Sequence, residues 1–275
     1  MSPFAAEVAA HWVAIGLYAV ASVVITNAVL FQHEHRLARG RWLTVAGLCV
    51  HAGAIVVRWV ASDHGPYMAR HEVLSSNAFV LVVLLLAFIW RKPAWSGLAV
   101  VALPIAFLMV GAGLFGSTAM KELPPSLRSV WLIFHILFAK LGAGAFVLSA
   151  TAAFFILRKR GGARGRLIDR LPPAEALDAY TVRFAAFGFV YWTFSVAAGS
   201  IWAHQAWGRY WGWDPVETWS LVTWLCYGSF LHAQRFFRWQ GARTAWAALG
   251  CVAIAIATIF ILPLAMAGLH GAYFQ

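Results

Sequence analysis

Residues 74–90 read LSSNAFVLVVLLLAFIW and residues 95–115 read WSGLAVVALPIAFLMVGAGLF, with only Arg91, Lys92, Pro93 and one alanine between them. Neither run holds an Asp, Glu, Lys or Arg. A helix needs about 20 mainly apolar residues to cross the hydrocarbon core of a bilayer, so the pair predicts a helical hairpin through a membrane. Working outward, the same test finds six more runs, at 12–31, 42–61, 129–157, 182–202, 217–236 and 244–264. The expected fold class is therefore all-α, a polytopic membrane protein with eight transmembrane helices. The third run is short and has little room to tilt, whereas the fifth is long enough to tilt or protrude. No repeat of fixed period and no low-complexity tract breaks the pattern, so residues 1–275 read as one domain. Residues 1–11 carry no Lys or Arg ahead of the first run, and no cleavable signal is expected.

Composition excludes the competing classes. The chain is 62% hydrophobic and 11% charged, against about 45–50% and about 25% for a soluble domain. Its 15 Trp and 20 Phe argue against disorder. Cys49, Cys226 and Cys251 lie in separate apolar runs with no C-x-x-C, which argues against thiol redox work and a structural disulfide. The excess of 21 Lys and Arg over 10 Asp and Glu falls in short clusters between runs, a pattern of membrane orientation and not of nucleic-acid binding. With eight spans, fifteen of those positive charges lie in the loops on one side and four (Arg70, Lys121, Arg128 and Arg209) on the side of the termini. Positive loops stay inside. Both termini and the loop 203–216 are expected on the outer, periplasmic side.

That outer loop and its flanks, about 202–219, hold Trp202, Trp207, Tyr210, Trp211, Trp213 and Trp219. One reading is an interfacial aromatic belt. The other is a flat apolar shelf that binds a large planar ligand by stacking and dispersion. On the second reading Gly208 and Gly212, lacking Cβ atoms, let backbone and ring approach closely. Asp214, Pro215 and Glu217 fit the N-cap, first and third positions of the seventh helix, so both carboxylates have a capping role available.

Ten histidines must be sorted. For His11, His33, His35, His64 and His71 the expectation is a solvated side chain near a loop, and His204 is a weak ligand candidate. His51 and His232 fall within spans, where ionisable groups are costly and mark function. His135 and His270 fall on the same outer side as the tryptophans. Two imidazoles beside an aromatic platform suggest axial ligation of haem iron. His232, about 22 Å along its helix, belongs to a second, deeper site.

Trp207-Gly208-x-x-Trp211-x-Trp213-Asp214 resembles the WWD signature of haem-handling proteins in cytochrome c biogenesis. The continuation Asp214-Pro215-x-Glu217-Thr218-Trp219 is similar to the CcsA/ResC branch of the System II cytochrome c synthase. Arg58-Trp59, Gly65-Pro66, Glu72-x-Leu74, Leu123 through His135, Leu177 through His232 and Gly268-Leu269-His270 extend the resemblance over most of the chain. It implies a bacterial cytoplasmic (inner) membrane protein that moves haem b across the membrane and presents it to apocytochrome c, whose CXXCH thiols add to the vinyl groups. It further implies that His135 and His270 are the axial ligands of an outer haem held against Trp207, Gly208, Trp211, Trp213 and Asp214. His232 would be one ligand of the transmembrane site, the other coming from a CcsB/ResB-like membrane subunit or from His51. Arg58 and Lys140 are placed by helix pairing or snorkelling before propionate contacts. No side chain is required as a nucleophile, and the chain is expected to be a subunit of a holocytochrome c synthase. The alternative is a WWD-family haem sensor, chaperone or scaffold without ligation activity. A small-molecule transporter lacks support, since no inverted repeats or paired broken spans are found.

Overall fold

The structure, a computed structural model of the chain, describes residues 3–116, 118, 123–162 and 165–265. Among the described residues it is helical throughout, with no strand: α1 Pro3–Phe31, α2 Glu34–Ser62, α3 Arg70–Arg91, α4 Ala99–Leu114, α5 Val130–Arg160, a short α6 Arg166–Arg170, α7 Ala174–Trp207, α8 Pro215–Phe236, α9 Ala242–Ile256 and a short α10 Leu262–Ala265. A 3₁₀ turn, Pro93–Leu98, leads into α4, and a π turn, Ala257–Ile261, joins α9 to α10. Among the described residues, seven segments are long and apolar enough to cross a membrane. The chain is a multi-pass membrane protein.

The expected eight spans are seven by this measure. The stretch 217–236 is helical as α8, but it is not among the seven. Its Glu217, Thr218, Ser220, Thr223, Ser229, His232, Gln234 and Arg235 dilute the apolar residues. The helices also outrun the apolar stretches. α1 begins at Pro3 and not at residue 12, because proline suits the first helical position and Ala5, Ala6, Ala9 and Ala10 propagate a helix well.

The helices fall into two compact units. Unit 1 is Met1–Glu122 with Arg158–Pro173, and unit 2 is Leu123–Leu157 with Ala174–Gln275. In unit 1, α1 and α2 form a close hairpin. A Cβ at Gly47 would lie 2.8 Å from Cε1 of Tyr18, so the absence of a side chain there lets the backbones approach. In unit 2, α5 crosses α7 where Gly142 and Gly188 face each other, each with a hypothetical Cβ 3.1–3.2 Å from the other's carbonyl oxygen. The Ser149 hydroxyl of α5 donates to the Thr181 carbonyl of α7 at 2.8 Å. Phe146 of α5 stacks on Tyr227 of α8, with centroids 3.6 Å apart. Asp178 accepts the Gly241 N–H at 2.8 Å and so ties the start of α7 to the start of α9.

A candidate haem-binding rim in unit 2

His135 sits in the second turn of α5, half-buried, against one face of α7. Three α7 residues at helical spacing make its seat. The Ser195 carbonyl lies 2.8 Å from Nδ1. A carbonyl oxygen only accepts, so Nδ1 carries the ring proton and donates it, and in the neutral ring Nε2 holds the lone pair. The Ser195 hydroxyl donates to the His135 carbonyl at 2.9 Å. One turn on, a Cβ at Gly199 would come within 2.6 Å of Nδ1, so only glycine leaves room for the ring in this position. One further turn on, Trp202 lies nearly parallel to the imidazole, at 19° and 6.3 Å between centroids. Trp202 is itself held, donating its indole N–H to the Ser126 carbonyl at 2.9 Å. A histidine anchored through Nδ1 to a carbonyl is the arrangement in which Nε2 serves as a metal ligand.

The aromatic loop begins where α7 ends. Gly208 closes the helix, its N–H on the His204 carbonyl at 2.9 Å and its φ at +73°. This positive φ is the role of Gly208, since nothing lies within 4 Å of a hypothetical Cβ. Gly212 does serve close approach, because a Cβ there would overlap the Arg209 guanidinium. Arg209 lies over the Trp207 ring at 5.6 Å and pairs with Glu217 at 3.3 Å. The other Glu217 oxygen accepts the N–H of Gly212 at 2.7 Å and of Asp214 at 3.2 Å. Asp214 caps α8 in turn, accepting the Val216 N–H at 2.9 Å. The expected capping box is present, and Glu217 also sews the preceding loop onto the helix start.

The tryptophans divide by exposure. Trp202 is 2% exposed and forms wall, meeting Trp207 edge-on at 4.7 Å. Trp213 is 68% exposed and meets Trp211 edge-on at 5.9 Å. Trp213 also holds φ at +56°, a left-handed conformation that costs a non-glycine residue on the order of 1 kcal/mol. Such strain gathers at ligand clamps. His204 and Tyr210 stack on one another at 4.3 Å. His135, Trp202, Trp207 and Arg209 thus form one contact chain, and Glu217 links Arg209 to Gly212 and Asp214. Trp213 stands exposed on the same loop, with the half-buried Trp211 against it.

His232 is separate. It lies 17 residues after Pro215 on α8, about 26 Å along the helix, with its side chain exposed and stacked on Phe236 at 4.2 Å. His270 lies outside the described residues. In unit 1, His51 uses both ring nitrogens, Nδ1 with the Tyr18 hydroxyl at 3.2 Å and Nε2 with the Ser75 hydroxyl at 2.8 Å. It has no nitrogen left for iron.

Three solvated-loop expectations fail. His11, His64 and His71 are 2%, 3% and 2% exposed. α1 starts early enough to bury His11, with Glu7 one turn before it, and the 63–69 loop folds in over unit 1. Arg58 pairs helices, as expected, bonding Glu72 at 2.8 Å and the Thr118 carbonyl at 2.7 Å. Ser195, Gly199, Arg209 and Glu7 were not foreseen as parts of any site. The Glu7/His11 spacing of four residues at the head of a span was the available signal for the last of these.

The donor chemistry of His135 and the loop indoles, with Trp213 exposed and Trp207 and Trp211 half-buried, fit a haem. Residues 68–270 match the cytochrome C assembly protein family. Among similar chains, a cytochrome c biogenesis protein CcsA of Gloeobacter violaceus is 32% identical, covering 96% of this chain and 93% of its own. That of Parasynechococcus marenigrum is also 32% identical, covering 78% of this chain and 80% of its own. A solved structure of the cytochrome c haem lyase CcmF superposes with a TM-score of 0.73 at 18% identity, covering all of this chain and 49% of that one, and so shares the fold over about half of its length. Family match and relatives agree with the aromatic loop and its signature: the chain belongs to the cytochrome c assembly protein family, in its CcsA branch.

Proposed function

We infer that this chain, a protein of cytochrome c biogenesis, is the haem-handling membrane subunit of a System II synthase. It carries haem b to an outward rim and presents it there to the CXXCH thiols of apocytochrome c. His135 and His270 serve as axial ligands, and Trp207, Gly208, Trp211, Trp213 and Asp214 form the ledge. The observation that carries this reading is the seating of His135, whose Nδ1–H is committed to the Ser195 carbonyl beside the buried Trp202. The bound haem supplies the electrophilic vinyl groups, and the protein contributes position and shelter. Trp213 and Tyr210, both more than half exposed, cover a porphyrin face or receive the client chain. His232, an exposed imidazole within a membrane helix, is the contribution of this chain to a deeper site. A CcsB/ResB-like subunit completes it, because both His51 nitrogens are already bonded.

The test is the absorption spectrum of the chain co-purified with its CcsB-like partner. A bis-histidine haem spectrum is expected, with the outer haem lost in His135→Ala combined with His270→Ala. A colourless preparation from haem-replete cells would overturn the reading, and normal covalent c-type cytochromes in a deletion strain would overturn synthase membership in favour of a sensor or chaperone.

We also propose the eight-span topology with both termini outside, α8 crossing with its neighbours in spite of its polar side chains. α8 has 22 residues, about 33 Å at 1.5 Å per residue and enough to span. Reporter fusions after Gly208 and after Arg238 are expected to report opposite sides, outer and inner respectively. The same side for both would remove α8 as a span.

A further inference from the structure

Unit 1 holds a buried polar chain that uses none of the residues assigned above to haem. Glu7, His11, Tyr18, His51, Arg58, His71, Glu72 and Ser75 are all 3% exposed or less. Ionisable groups gathered inside membrane helices are costly and mark function before structure.

The hydrogen-bond directions in this chain follow from its one fixed acceptor. His11 Nδ1 lies 3.0 Å from the Glu7 backbone carbonyl, so Nδ1 carries the proton. In the neutral ring Nε2 then accepts, and its neighbour at 2.8 Å is the Ser75 hydroxyl, which donates to it. Ser75 has one proton, now committed, so its oxygen accepts from His51 Nε2 at 2.8 Å. His51 therefore has its proton on Nε2, and its Nδ1 accepts from the Tyr18 hydroxyl at 3.2 Å. Four bonds in series, Tyr18 to His51 to Ser75 to His11 to Glu7, all donate in one direction. At the receiving end the Glu7 carboxylate lies 3.5 Å from His11 Nδ1. It makes no hydrogen bond among the described residues, although His71 Nε2 at 3.5 Å and Arg58 at 3.6 Å stand around it.

We propose that Tyr18, His51, Ser75, His11 and Glu7 form a proton relay, with the Glu7 carboxylate as its terminal acceptor. A hydronium ion gives a proton to the Tyr18 oxygen, and the Tyr18 hydroxyl proton passes to His51 Nδ1. The Nε2 proton of His51 passes to Ser75, the Ser75 proton to His11 Nε2, and the Nδ1 proton of His11 to Glu7. One proton enters, one is bound as the carboxylic acid, and nothing is oxidised or reduced. The passage reverses the three bonds among Tyr18, His51, Ser75 and His11 and releases the His11 Nδ1 bond to the Glu7 carbonyl, leaving Nδ1 to accept from the new carboxylic acid. The chain resets by running backward or by turning the two hydroxyls and exchanging the imidazole tautomers. Tyr18 is 11 residues from Glu7 on α1, so the relay covers about 16 Å of helix. The Glu7 carboxylate, buried with Arg58 at 3.6 Å and His71 at 3.5 Å, accepts no hydrogen bond among the described residues, so the chain ends on a group with both oxygens open to a proton.

The charged and titratable groups facing Glu7 are His11 from α1, Arg58 from α2, and His71 and Glu72 from α3. Glu72 is occupied by Arg58 and by the N–H groups of Met68 and Ala69, at 2.8, 2.9 and 3.1 Å. α4 carries no titratable residue. The experiment is nuclear magnetic resonance of the full chain in lipid nanodiscs, with ¹⁵N-histidine and ¹³C-carboxyl glutamate, titrated between about pH 5 and 8. Opposite neutral tautomers are expected, Nδ1–H at His11 and Nε2–H at His51, and this measurement needs no substitution. The His51 ring-nitrogen signals are expected to depend on pH in the wild type and to lose that dependence in Glu7→Gln, whose amide cannot take up the proton. Ser75→Ala separates His51 from Glu7, whereas Ser75→Thr, which keeps the hydroxyl, does not. The same tautomer on both rings would overturn the relay. So would a His51 response to Glu7→Gln that survives Ser75→Ala, because electrostatics through space would then suffice.

Discussion

Gly199→Val is expected to weaken outer-haem binding strongly, although residue 199 is not a ligand. The added Cβ alone would stand 2.6 Å from Nδ1 of His135. The imidazole must swing away, breaking its bond to the Ser195 carbonyl and its alignment with Trp202. Overpacking of this kind costs roughly 1–3 kcal/mol, which is about five- to 150-fold in occupancy at about 1.4 kcal/mol per tenfold. Ser195→Ala provides the contrast. The main acceptor of Nδ1–H is the backbone carbonyl, which alanine retains, so what is lost is the hydroxyl, with its bond to the His135 carbonyl at 2.9 Å and its longer contact with Nδ1 at 3.2 Å. That costs about 1 kcal/mol and is expected to leave the axial-ligand spectrum unchanged. Haem per protein and the low-spin band, measured for all three variants in the complex with the partner subunit, check this. Wild-type spectra from Gly199→Val would show that the seat does not place the ligand.

Glu217→Ala is expected to have the second-largest effect, by releasing the aromatic loop. Glu217 is 8% exposed and accepts from two backbone N–H groups, at Gly212 and Asp214. Stranding such a donor costs about 1–3 kcal/mol, and the loss of helix capping about 1 kcal/mol more. The pair with Arg209 is looser, since Arg209 is about a third exposed. A local loss on the order of 3 kcal/mol should free residues 208–213, where Trp213 already sits in a left-handed conformation. The measurement is the rate of tryptic cleavage after Arg209, with the indole emission of the loop as a second readout. Glu217→Gln keeps one acceptor oxygen and is expected to fall between wild type and alanine. Equal protection in all three would mean that the loop is held by something other than this carboxylate.

Membrane class and helicity were legible in the amino-acid pattern, because a bilayer imposes a simple length and polarity test. The test is weakest where function thins the apolar pattern. α8 carries a capping box at one end and His232 near the other, and among the long helices of the described residues it alone fails the apolar criterion. Helix ends escape the same test. Ala5 to Ala10 extend α1 beyond its apolar core, which carries Glu7 and His11, the latter expected to be solvated, into the interior of unit 1.

The sequence by itself determined the kind of molecule, the identity of the aromatic loop, the Asp214–Pro215–Glu217 helix start and the histidines worth weighing. Each depends on residues close together along the chain, or on composition. Only the tertiary structure decided which side of His135 is anchored, that His51 has both nitrogens occupied, that Trp202 is wall and Trp213 is exposed, and that Glu7, His11, His51 and Ser75 meet in one line. Those facts depend on helices far apart in sequence coming within about 3 Å of one another, at positions where glycine leaves room, and one chain taken by itself does not encode that proximity in any short pattern.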